Sequence, residues 1–157
     1  MKAAKVSEIK KDLTSKTQPE LLHLCLHLAK FKKENKELLT YLLYEADDEA
    51  SFIQSIKEEV DEQFSEINTS SYYFIKKSMR KILRNIKKHI RYSKNKETEV
   101  ELLIYYCSKL NSFSPSITRN TALVNLYQRQ LVSIRKTVSS LHEDLQYDFG
   151  LQLEELN

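Results

Sequence analysis

The sequence predicts an all-α fold, and three observations lead to this prediction. The chain of 157 residues contains one glycine, Gly150, and two prolines, Pro19 and Pro115, so it lacks the residues that build hairpin turns and glycine-rich loops. Apolar residues recur at intervals of three and four, which is the period of an amphipathic helix. The segments between them are short and rich in Asn, Ser, Asp and Lys, which favour turns and helix caps.

Four helices are predicted in the N-terminal half of the chain. The first covers Ser7–Leu13. The second covers Pro19–Phe31 and has proline at a favoured first position, and the third follows the polar link Lys32–Asn35. Asp47 and Asp48 are N-cap candidates for the fourth helix. The apolar positions are Val6, Ile9 and Leu13 in the first helix, Leu38, Leu39, Leu42 and Leu43 in the third, and Phe52, Ile53, Ile56, Val60, Phe64 and Ile67 in the fourth.

Three further helices are predicted in the C-terminal half. The turn Asn68–Ser71 leads into the fifth helix, and the sixth covers Glu97–Leu110. The clearest loop of the chain, Asn111–Ser116, precedes a long last helix. Gly150 is expected to end or bend this helix, and residues 148–157 then form a short tail helix whose leucines fold back on the body. The last helix has the alternating steps of four and three that are typical of coiled coils, at Leu131, Ile134, Val138, Leu141 and Leu145.

These segments predict a single all-helical domain, residues 1–157, with about seven helices in antiparallel hairpins. A weak internal repeat sets His27–Phe31 and Glu37–Tyr41 against His89–Tyr92 and Glu101–Tyr105. A duplicated hairpin favours HEAT-like or superhelical stacking, an architecture that presents surfaces to partners. In the alternative interpretation, two ordinary amphipathic helices share a leucine-rich start, and the fold is a plain up-down helical bundle.

The strongest functional signal is a separation of charge. Glu45–Glu66 contains nine acidic residues and one basic residue, whereas Ser70–Lys96 contains ten basic residues and no acidic one. On a helical wheel the aliphatic residues of the fifth helix span about 100°, and the cations span about 140° on another side. We call these cations the cationic stripe: Lys76, Lys77, Arg80, Lys81, Arg84, Lys87, Lys88 and Arg91.

The cationic stripe has several interpretations. It can follow the phosphates of RNA or DNA, with Tyr72, Tyr73 and Tyr92 as stacking groups. It can also lie on an anionic membrane surface or bind an acidic protein. In the structural alternative, the fifth helix packs antiparallel beside the acidic fourth helix and their flanks pair. The cationic arc is wider than one neighbouring helix covers.

One set of residues has the spacing of helical metal ligands. Glu20, His23 and His27 lie at positions i, i+3 and i+7 of the second helix and therefore share one side of it. A di-iron bundle needs a second Glu-x-x-His, and the sequence has none. Histidines on the surface are the alternative. We therefore predict no metal and no cofactor, with a metal-dependent enzyme built on these three residues as the remotest hypothesis.

The sequence contains no motif for nucleotide binding or nucleophilic catalysis, because such motifs require glycines that the chain lacks. Cys25 and Cys107 lie in apolar stretches, and we interpret them as reduced, inert core thiols. The first residues, Met1–Leu13, lack the apolar segment of a signal peptide, and no run approaches 18 apolar residues. We therefore predict a cytoplasmic protein that is not an enzyme and does not insert into membranes.

Three segments carry a resemblance to a known family: LAKFKKENKELLTYLLYEA, KETEVELLIYYCSKL and LHEDLQYDFG. Over its whole length the chain resembles a family of small all-helical bacterial proteins of unknown function. The resemblance implies a helical domain in the cytoplasm and brings no activity, ligand or catalytic residue.

The function favoured by these observations is that of a non-enzymatic scaffold or adaptor that presents helix surfaces to a macromolecular partner. A protein is the expected partner. The alternative is a module that binds RNA or DNA with the basic face of residues 76–91. The sequence leaves open whether the chain is a monomer or a homodimer.

Overall fold

A computed structural model of the protein describes residues 1–156 and confirms the all-α prediction. Within this range there are eight α-helices and no strand, close to the seven helices predicted. None of these helices is long and apolar enough to span a membrane. The helices are α1 (Val6–Thr14), α2 (Gln18–Phe31), α3 (Lys33–Thr40), α4 (Glu49–Ser65), α5 (Tyr72–Ser93), α6 (Lys96–Asn111), α7 (Thr121–Val138) and α8 (Glu143–Glu154).

The chain divides into two compact units, the first covering Met1–Tyr44 and the second starting at Glu45. The N-terminal unit holds α1, α2 and α3, and none of these helices contains a buried residue. The C-terminal unit holds α4 to α8, and each of these five helices has buried side chains. The hydrophobic core is therefore concentrated in the C-terminal unit.

The N-terminal unit is built on a tight hairpin of α2 and α3. The predicted link Lys32–Asn35 is shorter than expected, because only Lys32 lies between the two helices. Asn35 lies inside α3, and its side-chain Nδ2 donates to the backbone oxygen of Leu28 at 2.8 Å. Since the last carbonyls of a helix lack partners within the helix, this hydrogen bond helps to end α2 and fixes α3 beside it.

The C-terminal unit is organised around α6, which contacts α4, α5, α7 and α8. Eight side chains of α6 are buried, among them Leu102, Leu103 and Cys107. Burial of a side chain of leucine size contributes about 1.5–3 kcal/mol, so α6 is the main source of hydrophobic stabilisation. The phenol of Tyr106 donates to the backbone oxygen of Met79 at 2.9 Å and joins α6 to α5 inside this core.

The hydrogen bonds between α4 and α6 show the relative directions of the helices in this unit. Lys57 bonds to Glu101 and Asp61 to Tyr105, in each case across 44 positions. A constant separation means that α4 and α6 run parallel, and α5 connects them in the opposite direction. The unit therefore contains the predicted antiparallel hairpins. The finer expectation of HEAT-like stacking stays a prediction.

The predicted long last helix is wrong, because two helices replace it. α7 ends at Val138 and α8 begins at Glu143, so Gly150 lies inside α8 and neither ends nor separates a helix. His142 is the N-cap of α8, and its Nδ1 accepts a hydrogen bond from the backbone N–H of Asp144 at 3.3 Å. A cap of this kind starts a new helix, even though the coiled-coil spacing continues across the break.

The end of the described chain folds back on the C-terminal unit, as the sequence predicts. Leu153 and Leu156 are buried, whereas Leu151 is exposed. The phenol of Tyr127 in α7 donates to the backbone oxygen of Leu156. This contact anchors the segment that follows α8.

Candidate functional site

The cationic stripe lies on the outer side of α5. The opposite side of this helix is buried through Ile75, Met79, Ile82, Leu83 and Ile86. Among the cations, two are half-buried, Lys76 and Lys88. The exposed ones are Lys77, Arg80, Lys81, Arg84, Lys87 and Arg91.

The cationic stripe is mostly unneutralised. Lys88 has an electrostatic interaction within the protein. In the described part of the chain, no carboxylate forms an ion pair with any of the other seven cations. Because these side chains share one side of a helix, their charges add to a local positive field that an anionic partner would neutralise.

The acidic helix α4 forms its shortest ion pairs with α6. Asp61 accepts from Tyr105 at 2.6 Å and lies 2.7 Å from the ammonium of Lys109. These two contacts, the one from Lys109 being the stronger, hold the pKa of Asp61 below its ordinary value. Lys57 of α4 lies 2.6 Å from Glu101 of α6. The carboxylates of α4 thus serve its packing on α6 more than they neutralise α5.

One contact does join the acidic helix to the edge of the stripe. The Nε2 atom of His89 lies 3.6 Å from Glu59. The polar contact with His89 lowers the pKa of Glu59 against the opposing effect of burial, and the nearby charges of His89 and Lys88 act in the same direction. The predicted flank pairing therefore covers one edge of the stripe and leaves the rest facing outward.

Of the three predicted stacking groups, Tyr73 is the one that remains exposed. It lies at the start of α5, and its ring contacts that of Phe74 edge-on with centroids 5.3 Å apart. Tyr72 donates its hydroxyl to the backbone oxygen of Ser116 at 2.8 Å, which ties α5 to a loop. Tyr92 is buried. The cationic stripe thus carries an accessible aromatic ring at one end.

The polar groups between α4 and α6 line two cavities of about 410 and 320 Å³ that share Lys57 and Glu101. Lys57 and Glu101 neutralise each other. Burial, and then the hydrogen bond to Asp61, raises the pKa of Tyr105 to about 12. A phenol with so high a pKa stays protonated near neutral pH and is a poor proton donor there, so we assign the polar groups between α4 and α6 to helix packing.

The structure does not assemble a metal site from Glu20, His23 and His27. Among residues 1–156, no group of three His, Cys, Asp or Glu side chains is arranged to hold a metal ion. Glu20 instead accepts from the backbone N–H of Thr17 at 2.8 Å. It thereby completes a capping box at the start of α2.

The two cysteines differ in environment. Cys107 is buried as predicted, and burial raises its pKa to about 12. The prediction of a core thiol is wrong for Cys25, which is exposed. Cys25 lies on an apolar side of α2 that α3 borders but does not cover completely.

The feature that the sequence analysis missed is a large exposed apolar surface on the N-terminal unit. The apolar spacing of α2 and of the turn Tyr41–Glu45 that follows α3 predicts buried faces, yet most of these side chains stay accessible to solvent. The only sequence signal was the width of the apolar side of α2, which exceeds what one neighbour covers. We call this set the N-terminal apolar surface: Leu22, Leu24, Leu26, Leu28, Phe31, Leu42, Leu43 and Tyr44.

A groove between α2 and α3 forms the centre of this surface. It has a volume of about 220 Å³, and its lining is apolar apart from Asn35. Asn35 bonds to the end of α2, so its amide supports the groove wall. The other lining residues are Cys25, Leu28, Ala29, Leu38, Leu39 and Leu42.

Comparisons with protein families, with curated proteins and with solved structures gave no match to this chain. The resemblance to a helical bacterial family therefore stays a prediction. Two surfaces of the chain are candidates for binding a partner: the N-terminal apolar surface and the cationic stripe.

Proposed function

We propose that this protein is a non-enzymatic helical adaptor that binds a macromolecular partner through its N-terminal apolar surface. The observation that supports the proposal is the contrast between composition and burial in the N-terminal unit. Its helices are rich in leucine, but α1, α2 and α3 contain no buried residue. Exposed apolar side chains concentrated in this way mark an interaction site in soluble proteins.

The low stability expected for the N-terminal unit alone also supports a partner. The N-terminal unit has 44 residues, and α3 has eight. Helices this short are marginal in water without tertiary packing, and units of about 40 residues need additional stabilisation. A partner that covers the leucines supplies this additional stabilisation, about 1.5–3 kcal/mol for each side chain that becomes fully buried.

The test compares three forms of the full chain in extracts of the source cell. The variant Leu22→Glu/Leu26→Glu places charge on the apolar side of α2. The control His23→Glu/Lys30→Glu changes exposed residues on the polar side of the same helix. We expect the wild type and the control to retain the same partner in the same amount. The apolar variant should retain at least tenfold less of this partner. If all three forms retain the same proteins equally, the proposal is wrong.

A cytoplasmic location also fits this proposal. Cys25 is an exposed free thiol, and such thiols persist in reducing compartments. Labelling of cysteines in intact cells tests the location, because a cytoplasmic Cys25 reacts with membrane-permeant reagents and not with impermeant ones.

RNA or DNA binding by the cationic stripe is the second candidate function. It is favoured by the six exposed cations of residues 76–91 and by the exposed ring of Tyr73 at one end. The stripe from Lys76 to Arg91 is about 22 Å long at 1.5 Å per residue. This length allows contact with several successive phosphates, and such contacts weaken as salt displaces them.

The decisive measurement is the affinity for mixed single- and double-stranded nucleic acid as a function of salt. We expect Arg80→Glu/Arg84→Glu/Lys87→Glu to weaken binding by at least 100-fold. The control Lys2→Glu/Lys5→Glu/Lys10→Glu has the same net charge and should retain binding. Absence of binding at about 50 mM salt, where phosphate contacts are strong, would exclude this function.

A further inference from the structure

The apolar side chains of α2 surround most of this helix. At 100° per residue they span about 220°, and the remaining arc holds Pro19, Glu20, His23, His27 and Lys30. A helix on a membrane surface has one apolar side and a strongly charged polar side, whereas an apolar arc as wide as that of α2 needs more than one neighbouring helix to cover it. Since α3 covers one side of α2, the arrangement favours further helices as the occupant of the other sides.

The charge of the hairpin favours a self-complementary contact. Residues 18–44 contain four lysines and three acidic residues, and Lys33 lies 3.5 Å from Glu37 within α3. The hairpin therefore carries almost no net charge and has no field of one sign that would select an oppositely charged partner. A second copy meets no electrostatic repulsion there, in contrast to the cationic stripe.

The exposed area is of the size that a dimer needs. Full burial of one leucine-sized side chain removes on the order of 100 Å² of apolar surface. The eight members of the N-terminal apolar surface are between 39% and 78% exposed. A pairing of two hairpins that encloses all eight therefore buries roughly 500 Å² of apolar surface per copy. An interface of standard size buries about 800 Å² per partner, of which about 65% is apolar in homodimers.

We propose that the partner of the N-terminal apolar surface is a second copy of this chain. In this homodimer, α2 of each copy packs antiparallel against α2 of the other, along the groove that α2 and α3 form. Two hairpins then make a four-helix arrangement with the leucines inside. This inference rests on the proposed function of the N-terminal apolar surface and names its occupant.

The two-fold symmetry of such a dimer predicts which residues of α2 lie near its axis. In a two-fold contact between identical helices, residue i of one helix meets residue j of the other, and residue j meets residue i. An antiparallel pair that overlaps along its full length therefore has its axis at the midpoint of the helix. α2 covers Gln18–Phe31, so its midpoint lies between Leu24 and Cys25. Cys25 is exposed and lines the groove. The dimer therefore brings the two Cys25 thiols close to its axis.

Light scattering coupled to gel filtration tests the oligomeric state of the full chain. We expect a mass of twice 18.5 kDa that changes little between low and high salt, because apolar contacts are not weakened by salt. A mass of 18.5 kDa at every concentration up to about 100 µM would overturn the dimer, since an interface of standard size is saturated there.

Variants on the two sides of α2 locate the contact. Leu24→Glu/Leu28→Glu should give monomers, and the control His23→Glu/Lys30→Glu should stay dimeric. Circular dichroism checks that both retain their helices. A dimer that is unaffected by Leu24→Glu/Leu28→Glu and by Leu22→Glu/Leu26→Glu would overturn the proposal, because its interface would then lie elsewhere.

Mild oxidation gives an independent measurement that adds no charge. We expect a covalent dimer from the wild type and from Cys107→Ser, and none from Cys25→Ser. A dimer without the Cys25 cross-link contradicts the antiparallel α2 pairing. Suppose that the chain is monomeric and that Leu22→Glu/Leu26→Glu loses the partner that the wild type retains from cell extracts. This result contradicts the homodimer and leaves the adaptor proposal standing.

Discussion

The α2–α3 and α5–α6 hairpins carry nearly the same sequence at one point but bury it differently. The sequence ELLTY occupies positions 37–41 and ELLIY positions 101–105. Leu102 and Leu103 are almost completely buried, whereas Leu38 and Leu39 are half-buried. The difference comes from the neighbours, because α6 contacts four helices and α3 packs mainly against α2. Local sequence thus makes a helix, and the surrounding helices decide how far it is buried.

The same comparison separates the two candidate surfaces. The N-terminal unit exposes leucines and carries little charge around them, while α5 buries its aliphatic side and exposes its cations. Apolar association and phosphate binding respond oppositely to salt. The two surfaces can therefore be tested separately in one protein.

The largest expected difference between the two regions is the reactivity of their cysteines. Cys107 is fully buried, and its pKa of about 12 leaves about one thiolate in 10⁴ at pH 8. We expect Cys25 to react with a thiol reagent at least 1,000-fold faster than Cys107 in the folded monomer. Timed labelling of Cys25→Ser and Cys107→Ser in the Leu24→Glu/Leu28→Glu background separates the two rates, and similar rates would mean that the core around α6 opens readily.

The second prediction compares matched leucines in the two hairpins. Leu103→Ala removes a buried side chain from α6 and should lower the free energy of unfolding by about 2–5 kcal/mol. Leu39→Ala at the corresponding position of α3 should cost less than about 1 kcal/mol in the monomer, because its site is half-exposed. Urea unfolding of both variants in the Leu24→Glu/Leu28→Glu background measures the pair. Equal losses would show that the N-terminal unit has a core of its own.

A smaller effect is expected from the hydrogen bonds of the neighbouring tyrosines. Tyr106→Phe removes the phenol that donates to the buried backbone oxygen of Met79, an oxygen that also accepts a hydrogen bond within α5, and should cost about 0.5–1.5 kcal/mol. Tyr105→Phe removes a bond to Asp61, which keeps Lys109, and should cost less than about 1 kcal/mol. Urea unfolding again gives the comparison. If Tyr105→Phe lowered the free energy of unfolding more than Tyr106→Phe, the stabilising polar contacts of α6 would lie on the side that faces α4.

The smallest expected effect is a dependence of stability on pH in the C-terminal unit. The pKa of Asp61 in the folded protein lies below its ordinary value of 3.8, so its contribution is present above pH 3.8 and is lost as pH falls through the folded pKa. Asp61→Asn should therefore show a weaker loss of stability between pH 5 and pH 2 than the wild type. Asp148→Asn, at an exposed position of α8, is the control and should follow the wild type.

Much of the fold could be predicted from local signals, because helix caps and apolar spacing act within one or two turns. The predicted Ser7–Leu13 helix matches α1 within one residue at each end, and the Asp48 cap at the start of α4 is present. The break between α7 and α8 was missed since the leucine spacing continues through it and histidine is an uncommon cap. The prediction that Gly150 ends or bends a helix was wrong because an isolated glycine is tolerated inside a helix.

The candidate site could be predicted only in part. The cationic stripe follows from spacing alone, and its residues do share one side of α5. The exposure of Leu22 and Leu28 could not be predicted, because apolar spacing shows that a face needs a partner and not whether the same chain provides one. The pairing of Asp61 with Lys109 joins residues far apart in sequence, so no local pattern indicates it.

The central position of α6 also sets the order in which the helices come apart. Because α4, α5, α7 and α8 all rest on it, the amides of α6 can exchange their hydrogens with solvent only when most of the C-terminal unit opens together. The amides of α1, which contains no buried residue, can exchange by fraying of a single helix. Hydrogen exchange should therefore find the slowest amides of the whole protein in one helix of 16 residues.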